Sequence, residues 1–266
     1  MQHAVERWSQ GQLRAADVPI HFHRTGSGSQ PPLLLVHGFT DSGLCWARTA
    51  QALEPHFDVV MVDARNHGSS GAGRAALADL SGDLAMVIES LQLAPCLVLG
   101  HSVGASVAAS LAGAYPQLIS KLVLEDPPWT EQPPPAPSRD RGFRKYVEQL
   151  ASQTTSQIIE QGRKQHPNWH PDEFPHWAAS NQQIRADAMA MLDLGEWREL
   201  VPAIACPTLL LHADGDGLVT QALAAEVAAM NPLIRTRYIT EAGHNLRREQ
   251  FATFLQAVRE FIDPVG

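Results

Sequence analysis

The stretch Leu97-Val98-Leu99-Gly100-His101-Ser102-Val103-Gly104 decides how the rest of the chain is read. Three consecutive apolar residues lead into Gly-x-Ser-x-Gly, and a run of helix formers follows from Ala105 to Tyr115. A serine at the apex of so tight a strand-to-helix turn needs strained dihedrals. Side chains two residues to either side would collide, so glycine is required at Gly100 and Gly104. Such a turn lifts the hydroxyl above a sheet edge and aims the helix amino terminus, with its unpaired N–H groups, at an oxygen held in front of it. Ser102 is therefore the candidate nucleophile.

Outward from this turn, short apolar runs alternate with helical patterns. Leu33–Val36, Val59–Val62, Leu122–Leu124 and Leu209–Leu211 join Leu97–Leu99 as predicted strands. They are apolar at successive positions, as expected of parallel strands covered by helices on both faces. Leu77, Leu80, Leu84, Val87, Ile88 and Leu91 recur at helical spacing, and Phe251, Phe254, Leu255, Val258, Phe261 and Ile262 do so near the end. The alternation predicts an α/β fold: a mostly parallel, twisted sheet of about eight strands with helices on both faces.

One stretch interrupts the rhythm. Six of the residues from Pro127 to Pro137 are proline, where neither strand nor helix is expected to continue. About seventy residues then pass before the next strand, too many for a structureless loop. Helical patterns cover Phe143–Gln165 and Ile184–Leu200. Trp129, Trp169, Trp177 and Trp197, four of the six tryptophans, fall in this interval. The expectation is a core formed by residues 1–126 and 207–266, and a small helical cap at 127–206 inserted after the sixth strand. Its tryptophans, Trp129 and Trp177 in particular, are candidates to roof a substrate, although packing of the cap itself would use the same residue type.

Of 266 residues, 44% are hydrophobic and 18% charged, which excludes intrinsic disorder. With 20 Lys and Arg against 28 Asp and Glu, the net charge of -8 disfavours nucleic acid and anionic membrane surfaces as partners. No run has the length of a membrane span and the first residues lack a signal-peptide core, so a cytoplasmic protein with reduced cysteines is expected. Nothing in the sequence marks an oligomer interface.

Together with the turn at Ser102, two further segments make the chain resemble the α/β-hydrolase superfamily. His37-Gly38-Phe39 follows the strand at Leu33–Val36, where that family places half of its oxyanion hole. Asp63-Ala64-Arg65-Asn66-His67-Gly68-Ser69-Ser70 is similar to the family's Asp-x-Arg-x-His-Gly-x-Ser segment, in a version found in small acyl-esterases. The resemblance implies that the backbone N–H groups of Phe39 and Val103 bind an oxyanion and that His37 lies near the substrate. It implies His244, in Gly243-His244 before the last helix, as the base, since the order Ser, Asp, His along the chain is met.

For the acid, the family's register along Leu209-Leu210-Leu211-His212-Ala213-Asp214-Gly215-Asp216 selects Asp216. Asp214 is then a turn residue. Asp126 is the rival, because some branches carry the acid on the preceding strand, although Pro127 and Pro128 assign it a part in the exit toward the cap.

No His-Glu-x-x-His or paired-Cys motif occurs, so His21, His23, His166, His170 and His176 are not expected to hold a metal. No glycine-rich dinucleotide or phosphate loop is present, and no cofactor is expected. The function expected is hydrolysis of a small or medium carboxylic ester, or a similar small-molecule acyl compound, through an acyl-enzyme. A lyase using Ser102 and His244 for proton abstraction is the alternative, with Arg139, Arg141, Arg144 and Lys145 as a carboxylate clamp. A slow-turnover ligand sensor of the same fold is a third.

Overall fold

A computed structural model describes residues 5–15, 18–130, 136–213 and 215–262. Eight strands form one sheet: β1 (Ser9–Ala15), β2 (Val18–Arg24), β3 (Pro32–Val36), β4 (Asp58–Val62), β5 (Cys96–His101), β6 (Ile119–Glu125), β7 (Thr208–Ala213) and β8 (Ile234–Ile239). Their order across the sheet is β1-β2-β4-β3-β5-β6-β7-β8. β1 and β2 pair antiparallel, as do β2 and β4, and every other pair is parallel.

The unbroken apolar strands are explained by the two layers that cover them. Leu34, Val36, Val60, Val62, Val98, Leu122, Leu124 and Leu210 face one side. There they meet helices α2 (Leu77–Ser90), α3 (Val103–Ala114), α7 (Trp197–Ala203) and α8 (Gln221–Met230). Their neighbours Leu33, Leu35, Val59, Met61, Leu97, Leu99, Val123, Leu209 and Leu211 face α1 (Ala47–Leu53) and α9 (Phe251–Ile262) on the other side. Successive residues of a strand point to opposite faces, so both parities must be apolar when both faces are buried.

Between β6 and β7 the chain forms α4 (Ala136–Ala151), α5 (Thr155–Gln165), α6 (Glu173–Gln183) and then α7. Pro137 lies in the first turn of α4, where a missing N–H costs nothing. The helical patterns over Phe143–Gln165 fall in two helices, because Thr154 caps α5: its hydroxyl accepts from the Gln157 N–H while Gln157 accepts from the Thr154 N–H. The pattern at Ile184–Leu200 contains a short turn (Ala188–Met191), a two-residue strand (Leu192–Asp193) paired with Ala75–Ala76, and the start of α7.

The insertion has a small core of its own, made by Leu150, Ile158, Trp169, Phe174, Trp177 and Ala178. A second cluster of Phe143, Ile184 and Ala188 packs against Phe39 of the core. Trp129, Trp197, Val201 and Ile204 instead belong to the layer beneath the sheet.

Candidate active site

Ser102 stands between β5 and α3 with φ 52° and ψ -122°, a left-handed conformation that an L-residue rarely adopts. The turn closes this tightly because Gly100 lies against the Gly104 main chain, and Gly104 lies against the carbonyls of Val36 and His37. A Cβ at either position would overlap backbone atoms. The Ser102 N–H donates to the Glu125 carbonyl at 2.9 Å, tying the turn to the end of β6.

The loop after β3 wraps in front of this turn. A Cβ on Gly38 would stand 3.3 Å from the Ser102 Cβ and 2.7 Å from His101 Nδ1, so only glycine permits the approach. His37 Nδ1–H donates to the Gly38 carbonyl at 2.7 Å, and His37 Nε2 accepts from the Ala64 N–H at 3.0 Å. That pair of bonds fixes the neutral tautomer, and burial holds His37 below its ordinary pKa. In a trans peptide the C=O and N–H point in opposite directions. Holding the Gly38 carbonyl therefore turns the Phe39 N–H the other way. The His67 ring lies between two carbonyls, that of Arg65 at Nδ1 and that of Phe39 at Nε2. Among the described residues, neither the Phe39 nor the Val103 N–H has a protein acceptor.

His244 is brought to the nucleophile turn from the far end of the chain. Its ring centroid lies 4.8 Å from that of His101, and His101 Nε2–H donates to the His244 carbonyl at 3.0 Å. Burial, with Arg247 nearby, keeps His101 neutral, its pKa well below the ordinary value.

The partner of the His244 ring is Asp126. His244 Nδ1–H donates to Asp126 Oδ2 at 2.7 Å, which leaves Nε2 as the basic nitrogen. Asp126 is fully buried and follows β6 in a left-handed conformation, φ 41°. Its carboxylate also accepts the Leu218 and Val219 N–H groups at 2.9 Å each. Asp216, expected in this place, meets the His244 main chain and not its ring. Its Oδ1 accepts the backbone N–H of His244 at 3.0 Å. A Cβ on Gly243 would collide with the Asp216 carboxylate, which gives the glycine of Gly243-His244 a steric reason. The physical cause of the exchange is backbone position: the loop after β7 presents amides to the Asp126 carboxylate and so holds that carboxylate beside the His244 ring. Asp214 lies outside the described residues.

Beneath His244, Arg247 and Arg248 are almost wholly buried. Asp41 accepts from both guanidinium groups, at 2.6 Å from Arg247 and 3.0 Å from Arg248. Glu125 accepts the Arg247 N–H at 2.8 Å, and Glu173 of α6 stands 3.5 Å from Arg248. Burial by itself would raise the Asp41 pKa, but the two guanidinium charges outweigh it and the net shift is downward. Arg247 lies over the Trp46 ring and Arg248 over that of Trp169.

The remaining candidates divide. His37 and Phe39 line an apolar cavity of about 30 Å³ that Val103 also borders. Trp129 and Trp177 do not line it. Trp129 is buried, donates through Nε1 to Ser106 Oγ at 3.1 Å and stacks on Trp197. Trp177 packs edge-on against Trp169 and Phe174 inside the insertion. Large aromatic area goes first to these two cores, which a short insertion could not otherwise build.

Arg141, Arg144 and Lys145 are exposed, and Arg139 lies outside the residues whose side chains are described. Among the described residues no group of three or more His, Cys, Asp or Glu is placed to hold a metal ion. Nor, among them, is any helix long and apolar enough to cross a membrane.

A family model described as alpha/beta hydrolase fold matches residues 31–246. The chain belongs to this family. It is 27% identical over 270 residues to N-formylmaleamate deformylase of Pseudomonas putida, covering 95% of this chain and 96% of that protein. It is 26% identical to sn-1-specific diacylglycerol lipase ABHD11 of Xenopus laevis, covering 90% and 81%. Among solved structures, E-2-(acetamidomethylene)succinate hydrolase superposes with a TM-score of 0.80 at 21% identity, covering 97% of this chain and all of that one. The fold expected from the sequence is thus the fold of this family, and its named relatives are hydrolases.

Proposed function

We propose that this α/β-hydrolase cleaves a small carboxylic ester or related acyl compound through Ser102, His244 and Asp126, by way of an acyl-enzyme. The observation that carries the reading is the 2.7 Å bond from His244 Nδ1 to the buried Asp126, made beside the strained Ser102 turn. A serine hydroxyl becomes nucleophilic when a base removes its proton, and His244 Nε2 is the ring nitrogen left free to do so. Asp126 holds the tautomer and stabilises the imidazolium that forms. The amides of Leu218 and Val219 hold Asp126 in turn.

As Ser102 Oγ adds to the carbonyl carbon, negative charge develops on the carbonyl oxygen, and the Phe39 and Val103 N–H groups are the donors for it. Each such donor is worth about 3 kcal/mol of barrier. Collapse of the tetrahedral intermediate expels the leaving group, which takes the proton from His244. Water, activated by the same histidine, then releases the acid.

Incubation with a fluorophosphonate followed by mass spectrometry tests this without knowledge of the natural substrate. A stoichiometric adduct on Ser102, absent from His244→Ala, is expected. Folded protein that forms no adduct would overturn the acyl-transfer reading.

A further inference from the structure

The cavity of about 30 Å³ beside the oxyanion loop has a size and position that bear on the substrate. Gly38 connects it to the nucleophile: one side of this residue abuts the Ser102 Cβ, and the residue also lines the cavity. Phe39 and Val103 line it as well. Their backbone N–H groups are the pair assigned to the developing oxyanion. An acyl carbon bonded to Ser102 Oγ with its oxygen between those two amides projects its remaining substituent away from the leaving group. Ser102 itself does not line the cavity, but Gly38 against its Cβ and Val103 beside it in the chain do, which sets the cavity next to that substituent. Val107 of α3, Leu84 of α2 and Ala188 of the insertion form the walls around it.

Asp63, Arg65, Asn66, His67 and Asp83 also line the cavity, but their polar atoms are engaged with one another and with the main chain, so the surface it presents is almost wholly apolar and suits an uncharged substituent. Capacity follows from comparison: an apolar cavity of about 150 Å³ is needed to hold a benzene ring. One-fifth of that volume takes one or two carbons. Interiors are packed closely enough that a third methylene must displace wall atoms.

We infer that this cavity is the acyl-side pocket and that the enzyme is selective for acetyl and propionyl groups over longer ones. The inference rests on the acyl-transfer reading above and adds the class of acyl group.

Para-nitrophenyl esters from acetate to octanoate test it, with kcat/KM measured for the wild type, Val107→Ala, Leu84→Ala and Ala188→Val. The wild type is expected to fall about tenfold or more from propionate to butyrate, the usual worth of one ill-fitting methylene. Val107→Ala or Leu84→Ala should move the break to longer chains. Ala188→Val should lower propionate relative to acetate, and this variant keeps the test alive if the enlarging ones do not fold.

A wild type that takes octanoate as readily as acetate overturns the inference, as do variants that keep the wild-type profile. Fluorophosphonate labelling separates the two failures. An adduct on Ser102 with a flat chain-length profile sinks the pocket alone, whereas no adduct and no ester cleaved sinks the acyl-transfer reading and the pocket with it.

Discussion

Two aspartates hold His244 by different handles: Asp126 takes the ring N–H and Asp216 takes the main-chain N–H. The difference matters because only the first can set the tautomer and offset imidazolium charge. Asp126→Asn is expected to lower kcat by roughly 10⁴-fold, since an amide at this place favours the wrong tautomer. Asp216→Asn keeps an oxygen for the His244 N–H and should cost about tenfold or less, the worth of one weakened hydrogen bond. The measurement is kcat on one ester for both variants, and equal losses would place the acid function at neither residue alone. The position of Ser102 was legible because its evidence is local: strand, glycines and helix lie within some twenty residues of one another. The partner of the His244 ring was not, because Asp126 and His244 are separated by 118 residues and both aspartates follow apolar strands. A register borrowed from relatives favours Asp216, and the Leu218 and Val219 amides that hold Asp126 beside the ring have no sequence signature.

At the level of elements, the segments that hold the site were easiest to foresee where both faces of a strand are buried. The helix α6 was missed for the converse reason. Its buried face includes Glu173, Ser180 and Asn181, so its apolar period is broken. Those polar groups are satisfied by partners that a pattern cannot show: Ser180 donates to the Thr40 carbonyl, and Asn181 to that of Trp177. Glu173 faces Arg248 and Arg48. Through Asp41, Arg247 and Arg248 the loop after β3, the His244 loop and α6 share one buried ionic junction. Removing a charge from such a junction leaves the opposite charges uncompensated. Asp41→Asn is expected to lower unfolding free energy by about 3–5 kcal/mol, the usual cost of breaking a buried pair. Arg248→Met should cost less, because Asp41 keeps Arg247. Urea unfolding midpoints of the two variants check the order, and the reverse order would contradict it.

For the whole molecule, acid stability follows from groups around β2 and β4. Burial, then the neighbouring His21, push His23 down to about 4, and burial first of all brings His67 to about 4 as well. A histidine whose folded pKa is depressed binds its proton more tightly when unfolded. Its contribution is therefore complete above the unfolded pKa of about 6.5 and is lost as pH falls toward 4. Asp63 follows at lower pH. Burial would raise it, but His21 and the Ser69 and Gly43 N–H groups outweigh that and hold it at about 2. Its contribution, about 2 kcal/mol, is present above pH 4 and lost as pH falls through 2. Urea midpoints should thus decline in two stages below neutrality. His23→Gln should diminish the first and leave the second, and an unchanged first stage would exclude His23 as a source.

The bond between Cys45 and Ser180 places a thiol at the seam where α6 meets the core. Cys96 and Cys206, the other two thiols, lie in the layer beneath the sheet. Burial pushes Cys45 up to about 12, so at neutral pH it is a protonated sulfur that electrophiles can neither reach nor activate. Separation of α6 from the core would uncover it, whereas Cys96, the first residue of β5, would be uncovered by disruption of the sheet. The rate of Cys45 alkylation relative to that of Cys96 is thus expected to distinguish opening of the insertion from unfolding of the domain.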